Sequence, residues 1–112
     1  MISLIPEAAR AILDVGCGAG LLLEDARRRR TAPVVLHGVE PDGFAALAAA
    51  SRLDKVFEGT AEAVADSLPD GFYDAIVLSD VLEHAVSPDV LLRSLAPTGA
   101  RKKGDFRVDA SA

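Results

Sequence analysis

Short apolar runs alternate along this chain with stretches of helical period, and that rhythm predicts an architecture. Ala11 to Val15 is a compact apolar run of strand length. A glycine-rich turn, Gly16-Cys17-Gly18-Ala19-Gly20, leads into helical spacing over 21–30. Pro33 to Glu40 reads as a second strand, rich in valine and leucine. Pro41-Asp42-Gly43 opens a second helix through Phe44 and Leu47 to about Arg52, since proline suits a first helical turn. Lys55 to Glu58 is a short third strand, and Thr60 is placed to cap a brief helix reaching Ala65. Leu68-Pro69-Asp70-Gly71 marks a turn before the fourth strand, Tyr73 to Ser79. Ser87-Pro88-Asp89 starts a last helix that runs to Leu95, with Pro97 and Gly99 ending it.

Strands alternating with helices predict parallel pairing through right-handed crossovers. Near-continuous apolar strands predict a sheet covered on both faces. The expected class is therefore α/β, a three-layer sandwich around a parallel sheet, over residues 1–100. Residues 101–112 show neither period, and of their side chains only Phe106 and Val108 are large and apolar, so they read as a flexible tail. Without a fifth strand, the fourth is expected to present an exposed apolar edge.

Charge narrows the choice of partners. Residues 1–56 balance seven acids with seven bases, whereas residues 57–100 carry eight acids and the single base Arg93. A nucleic-acid binder shows a basic face to phosphates, and this central acidic block argues against one. Arg27 to Arg30 form the one basic cluster of the predicted fold, read as a solvated helix end near the C-terminal dipole. Of the 112 residues, a single one is cysteine, which excludes an intramolecular disulfide framework. No apolar run approaches the roughly 20 residues that span a bilayer, and the start lacks a signal-peptide pattern, so the expected address is the cytoplasm, with no membrane partner.

The chemistry is concentrated where strands end. In Asp14-Val15-Gly16-Cys17-Gly18-Ala19-Gly20 a strand meets a glycine turn and then a helix. Glycine allows a sharp turn and close approach to a ligand. The helix start offers N–H groups and a positive dipole end. A dinucleotide fingerprint requires Gly-x-Gly-x-x-Gly; here Leu21 occupies the third glycine's place, and the pattern is Asp-x-Gly-x-Gly-x-Gly. That counts against a nicotinamide-dependent dehydrogenase. Glu40 ends the second strand, where an acid accepts hydrogen bonds from both hydroxyls of a ribose; otherwise it is a solvated turn acid.

With these residues in place, the sequence resembles the class I S-adenosylmethionine-dependent methyltransferases. Asp14 to Gly20 resembles their first motif, Val39-Glu40-Pro41-Asp42 their second, Phe57 to Glu62 their third, and Phe72 to His84 their fourth. The four occur in the family's order across about residues 10–97. Asp80-Val81-Leu82-Glu83-His84 is most similar to the small-molecule branch, which implies a small-molecule methyl acceptor. The resemblance implies a Rossmann-like sheet of order 3-2-1-4, cut short of the family's seven strands. It implies S-adenosylmethionine as cofactor. Asp14 and the backbone of Gly16, Cys17, Gly18 and Gly20 would hold its methionine end. Glu40 would grip the ribose, Pro41 would pack on the adenine, and Thr60, Ala61 and Glu62 would meet the adenine edge. Ser79 would lie near the transferable methyl. Many relatives carry an aspartate where this chain has Thr60.

Asp80, Glu83 and His84 share one face at helical spacing. They read as a helix start favoured by acids rather than a metal site, and His84 as a helix-end residue rather than a base. No catalytic residue or metal ligand is therefore assigned. Cys17 reads as a small residue filling the loop, and His37 as structural. The truncated pattern leaves two functional expectations open. One is a methyltransferase completed by a homodimer or a partner chain on the exposed sheet edge. The other is a cofactor-binding module without catalysis by itself.

Overall fold

A computed structural model of the chain describes residues 8–79 together with the backbone of residues 107–111. The elements are β1 (Ala11–Val15), α1 (Leu21–Arg28), β2 (Val35–Glu40), α2 (Gly43–Ala50), β3 (Lys55–Glu58), α3 (Ala61–Val64), β4 (Ala75–Ser79) and β5 (Arg107–Ser111), with a 3₁₀ turn over Ala65–Ser67. The predicted helix over 88–95 lies outside the described residues.

The strands form one sheet in the order β3-β2-β1-β4-β5, and each described pairing is parallel. The 3-2-1-4 order is the one the family resemblance implied, on a Rossmann-like α/β plan. All five residues of β1 are buried, as a central strand covered on both faces requires. Leu13, Val15, Val39, Ile76 and Leu78 face one layer, packed with Ala61, Val64, Leu68 and Tyr73. Ile12, Leu36, Ala75 and Val77 face the other, packed with Leu23, Ala49 and Leu53 from α1, α2 and the turn beyond α2. Alternate residues of each strand thus serve alternate layers, which is how period-two patterning becomes a three-layer sandwich.

β5 corrects the reading of residues 107–111 as part of a flexible tail. It pairs with β4 in register from Ala75↔Arg107 to Ser79↔Ser111, so the edge of β4 expected to be exposed is a ladder instead. Apolar patterning misses such a strand because the ladder is made by backbone groups, and a strand at the end of a sheet order can be polar. A partner chain is therefore not required to cover β4.

The arginine run of α1 is a solvated, ion-paired helix end. Arg27 lies 2.5 Å from Asp54, Arg28 3.1 Å from Glu24, and Arg29 2.9 Å from Asp25. Arg27 also donates to the carbonyl of Arg52 at 3.1 Å, tying the end of α1 to the turn before β3. Asp74 closes this same end of the sheet, where the strands begin, accepting the N–H groups of Arg10 and Ala11 at 2.7 and 3.0 Å. No described helix is long and apolar enough to cross a membrane.

Candidate functional site

β1 and β2 end side by side, and the two loops that follow are bonded to each other. The N–H groups of Gly16 and Cys17 both donate to the carbonyl of Val39, at 2.8 and 3.1 Å. This folds the chain back over the end of β2. Gly20 then caps α1 with φ of 85°, a left-handed conformation that favours glycine. Its N–H donates to the Cys17 carbonyl at 3.0 Å. A Cβ on Gly20 would lie 3.3 Å from Ala49 and Leu53, so the loop is seated directly on α2 and its C-terminal turn.

Glu40 joins the two loops through one carboxylate. Its Oε1 accepts the Gly18 N–H at 2.8 Å, and its Oε2 accepts the Asp42 N–H at 3.0 Å. A carboxylate has about four acceptor positions, so capacity remains on both oxygens. Gly18 has φ of +57°, and a Cβ there would meet nothing within 4 Å. The loop is therefore open on that side and closed on the side of α2. Asp42 continues the arrangement by accepting the Ala45 N–H at 3.0 Å as the N-cap of α2, and Pro41 between the two acids is exposed.

The third loop approaches through the backbone. The Gly59 N–H donates to the Glu40 carbonyl at 3.0 Å. Thr60 then caps α3, its hydroxyl accepting the Ala63 N–H at 3.2 Å. Ala61 is buried and Glu62 exposed. Asp14 is wholly buried in β1, between Gly38 of β2 and Val77 of β4 in register. Ser79, the last residue of β4, lies one step beyond the Val15↔Leu78 pair and so at the same end of the sheet. The predicted residues thus gather at one sheet end, with Gly16, Cys17, Gly18 and Glu40 in a single hydrogen-bonded unit. Asp80, Glu83 and His84 lie outside the described residues. Among the described residues, no group of three or more His, Cys, Asp and Glu is placed to hold a metal ion.

The electrostatics of this end are negative. Burial, then Asp14, then Glu40 push the Cys17 thiol up to about 12, so it stays protonated and is no nucleophile. Its Sγ donates to the Gly18 carbonyl at 3.4 Å.

Two residues that support the loop were not singled out from the sequence. A Cβ on Gly38 would lie 2.5 Å from Cys17 Sγ, so β2 makes room for the loop there. A glycine inside an apolar strand signals such close approach. Arg52 donates to the Ala19 carbonyl at 3.2 Å, with its Nε 3.5 Å from Glu24. No sequence signal marks it, because its partners are set by the packing of α2 against α1. A shallow groove between α2 and β3, lined by Ala46, Leu47, Ala50 and Val56, contains none of the predicted residues.

The family profile described as "Methyltransferase domain" matches residues 2–100. The chain belongs to the class I S-adenosylmethionine-dependent methyltransferases. It is 38% identical over 90 residues to a ubiquinone biosynthesis O-methyltransferase of Aeromonas salmonicida, a match covering 78% of this chain and 37% of that protein. The chain thus spans little more than a third of that relative's length. Among solved structures it is similar to a SAM-dependent methyltransferase from Archaeoglobus fulgidus, with TM-score 0.67 and 25% identity over 84% of this chain and 42% of that one. The fold is also shared with the plantazolicin methyltransferase BamL, solved with SAH, at TM-score 0.66 and 19% identity over 78% of this chain and 33% of that one.

The cofactor of this methyltransferase family is S-adenosylmethionine, and the residues present fit it. The loop leads into a helix start, its open side lies at Gly18, and the adjoining carboxylate keeps acceptor capacity for hydroxyls.

Proposed function

We propose that this chain holds S-adenosylmethionine between the Gly16–Gly20 loop and Glu40 and serves methyl transfer to a small-molecule acceptor. The observation that carries the reading is the double engagement of Glu40, which binds the N–H groups of Gly18 and Asp42 and still has acceptor positions to offer. When bound, the cofactor supplies an activated sulfonium methyl for in-line displacement. The protein's share of the work is positioning.

The roles are those the family resemblance implies, and the gathering of these residues at one sheet end supports them. Asp14 and the backbone of Gly16, Cys17, Gly18 and Gly20 hold the methionine end. Glu40 accepts from the ribose hydroxyls. Pro41, exposed beside it, offers an apolar surface to the adenine. Thr60, Ala61 and Glu62 meet the adenine edge, chiefly through backbone and Glu62, because the Thr60 hydroxyl already accepts from Ala63. Ser79 faces the reacting end. The negative field of Asp14 and Glu40, which adds to burial in holding the Cys17 thiol protonated, also favours a ligand with cationic sulfonium and ammonium groups. The small-molecule acceptor, and a hydroxyl as its reacting group, are supported by the likeness to a ubiquinone biosynthesis O-methyltransferase. A cytoplasmic setting accords with the lone cysteine.

Calorimetric titration with S-adenosylhomocysteine tests the reading. The wild-type chain is expected to bind. Glu40→Ala, which loses a charged acceptor shared by two loops, is expected to bind at least about tenfold more weakly. Unchanged affinity in a folded Glu40→Ala chain overturns the assignment.

A further inference from the structure

Gly38 stands where β2 passes beneath the glycine loop. Its backbone is not left-handed, so what the position demands is space rather than conformation. A methyl group there would lie 2.5 Å from Cys17 Sγ, 3.0 Å from Cys17 Cβ and 2.9 Å from Leu53 Cδ1. The contact with Leu53 is the far end of a flexible side chain and can give way. The Cys17 contact is severe at Sγ, which its hydrogen bond to the Gly18 carbonyl holds in place, and tight at Cβ, where the loop must give by a few tenths of an ångström.

Cys17 is pinned from three directions. Its N–H is bonded to the Val39 carbonyl at 3.1 Å, and its Sγ donates to the Gly18 carbonyl at 3.4 Å. From below it rests in the space left by Gly38. The next N–H along the chain is that of Gly18, bonded to Glu40 at 2.8 Å. We infer that Gly38 is a positioning residue for the cofactor: its missing side chain seats Cys17, and the seated Cys17 aims the Gly18 N–H and fixes the Glu40 carboxylate. This rests on the proposed binding of S-adenosylmethionine by that loop. Added bulk at residue 38 therefore acts on the ligand through the loop, without touching the ligand.

The test compares Gly38→Ala with two second-site variants that relieve opposite sides of the clash. Gly38→Ala is expected to weaken S-adenosylhomocysteine binding at least about tenfold, the usual scale of overpacking. Adding Cys17→Ala removes the 2.5 Å contact and is expected to recover most of that loss. Adding Leu53→Ala relieves only the side facing away from the loop, and is expected to leave the binding loss in place even where it restores the thermal midpoint. A merely structural role would let both second-site changes act alike. Wild-type affinity in a folded Gly38→Ala chain, or equal rescue by Leu53→Ala, overturns the inference.

Two further arms keep it decidable. Should Gly38→Ala not fold, Cys17→Val presses on the same space from the loop side, and unchanged affinity there overturns the inference equally. The amide resonances of Gly16 and Gly18 are recorded without ligand. If they move in Gly38→Ala and return with Cys17→Ala, the positioning holds even where the wild-type chain fails to bind S-adenosylhomocysteine, a failure that counts against the proposed function alone. If they do not move, the positioning is wrong.

Discussion

Cys17 is 7% exposed, and its thiol lies beneath the loop, among Gly18, Gly38 and the carboxylates of Asp14 and Glu40. Burial is the largest reason its proton is held so firmly, with the two acids adding to it. The thiolate is the reactive form, so the folded chain should resist alkylation. Iodoacetamide labelling at about pH 8 should leave Cys17 unmodified in the native chain and modify it fully in denaturant. Rapid labelling of the native chain would show that the loop opens or is not seated as described. At this scale the sequence was legible where chemistry follows chain spacing. The Asp-x-Gly-x-Gly-x-Gly pattern and the acid ending β2 could both be read directly. Gly38 and Arg52 were not picked out, because each matters through a contact with a residue distant in sequence: Cys17 for one, the Ala19 carbonyl for the other.

Between elements, the least ordinary junction is the aromatic cluster that joins β2, β3 and the start of β4. His37 stacks on Phe72 at 5.6 Å and meets Phe57 and Tyr73 edge-on at 5.9 and 5.4 Å. Its Nδ1 lies 2.7 Å from the Tyr73 hydroxyl. Burial lowers the His37 pKa, with Asp54 opposing and Lys55 assisting the shift. The unfolded chain therefore takes up a proton on this residue at a higher pH than the folded one. Stability from His37 is complete above the unfolded value of about 6.5 and is lost as pH falls through the lowered folded value. Urea unfolding at about pH 7.5 and about pH 5.5 should show a larger loss for wild type than for His37→Gln, which does not titrate. Carboxylate contributions are common to both chains, so parallel losses would contradict a half-buried, neutral His37.

The strands of this part of the fold were legible because β1, β2 and β4 are apolar runs bounded by turn residues. Their ends were less so. The helical spacing seen over 21–30 gives a helix ending at Arg28, because the Arg30 N–H bonds to the Arg27 carbonyl in a tighter final turn. β5 was not legible at all. Arg-Val-Asp-Ala-Ser carries no strand pattern, and its conformation comes from the ladder with β4.

Across the whole molecule, β1 lies at the centre of the sheet, and the loops after β1, β2 and β3 emerge at one end of it. Parallel strands put all their carboxyl ends on the same side, so residues far apart in sequence reach one crevice without a dedicated device. The hydrogen bonds from Gly16 and Cys17 to Val39, from Gly18 to Glu40 and from Gly59 to Glu40 then make that crevice a single unit. The central claim is that this unit, and no other concavity, receives the cofactor. Amide chemical shifts recorded during titration with S-adenosylhomocysteine test it most directly. The largest changes should fall on Gly16, Gly18, Glu40 and Asp42. Largest changes instead at Ala46, Leu47 and Val56 in the groove between α2 and β3, or no change in a folded chain at saturating ligand, would contradict it.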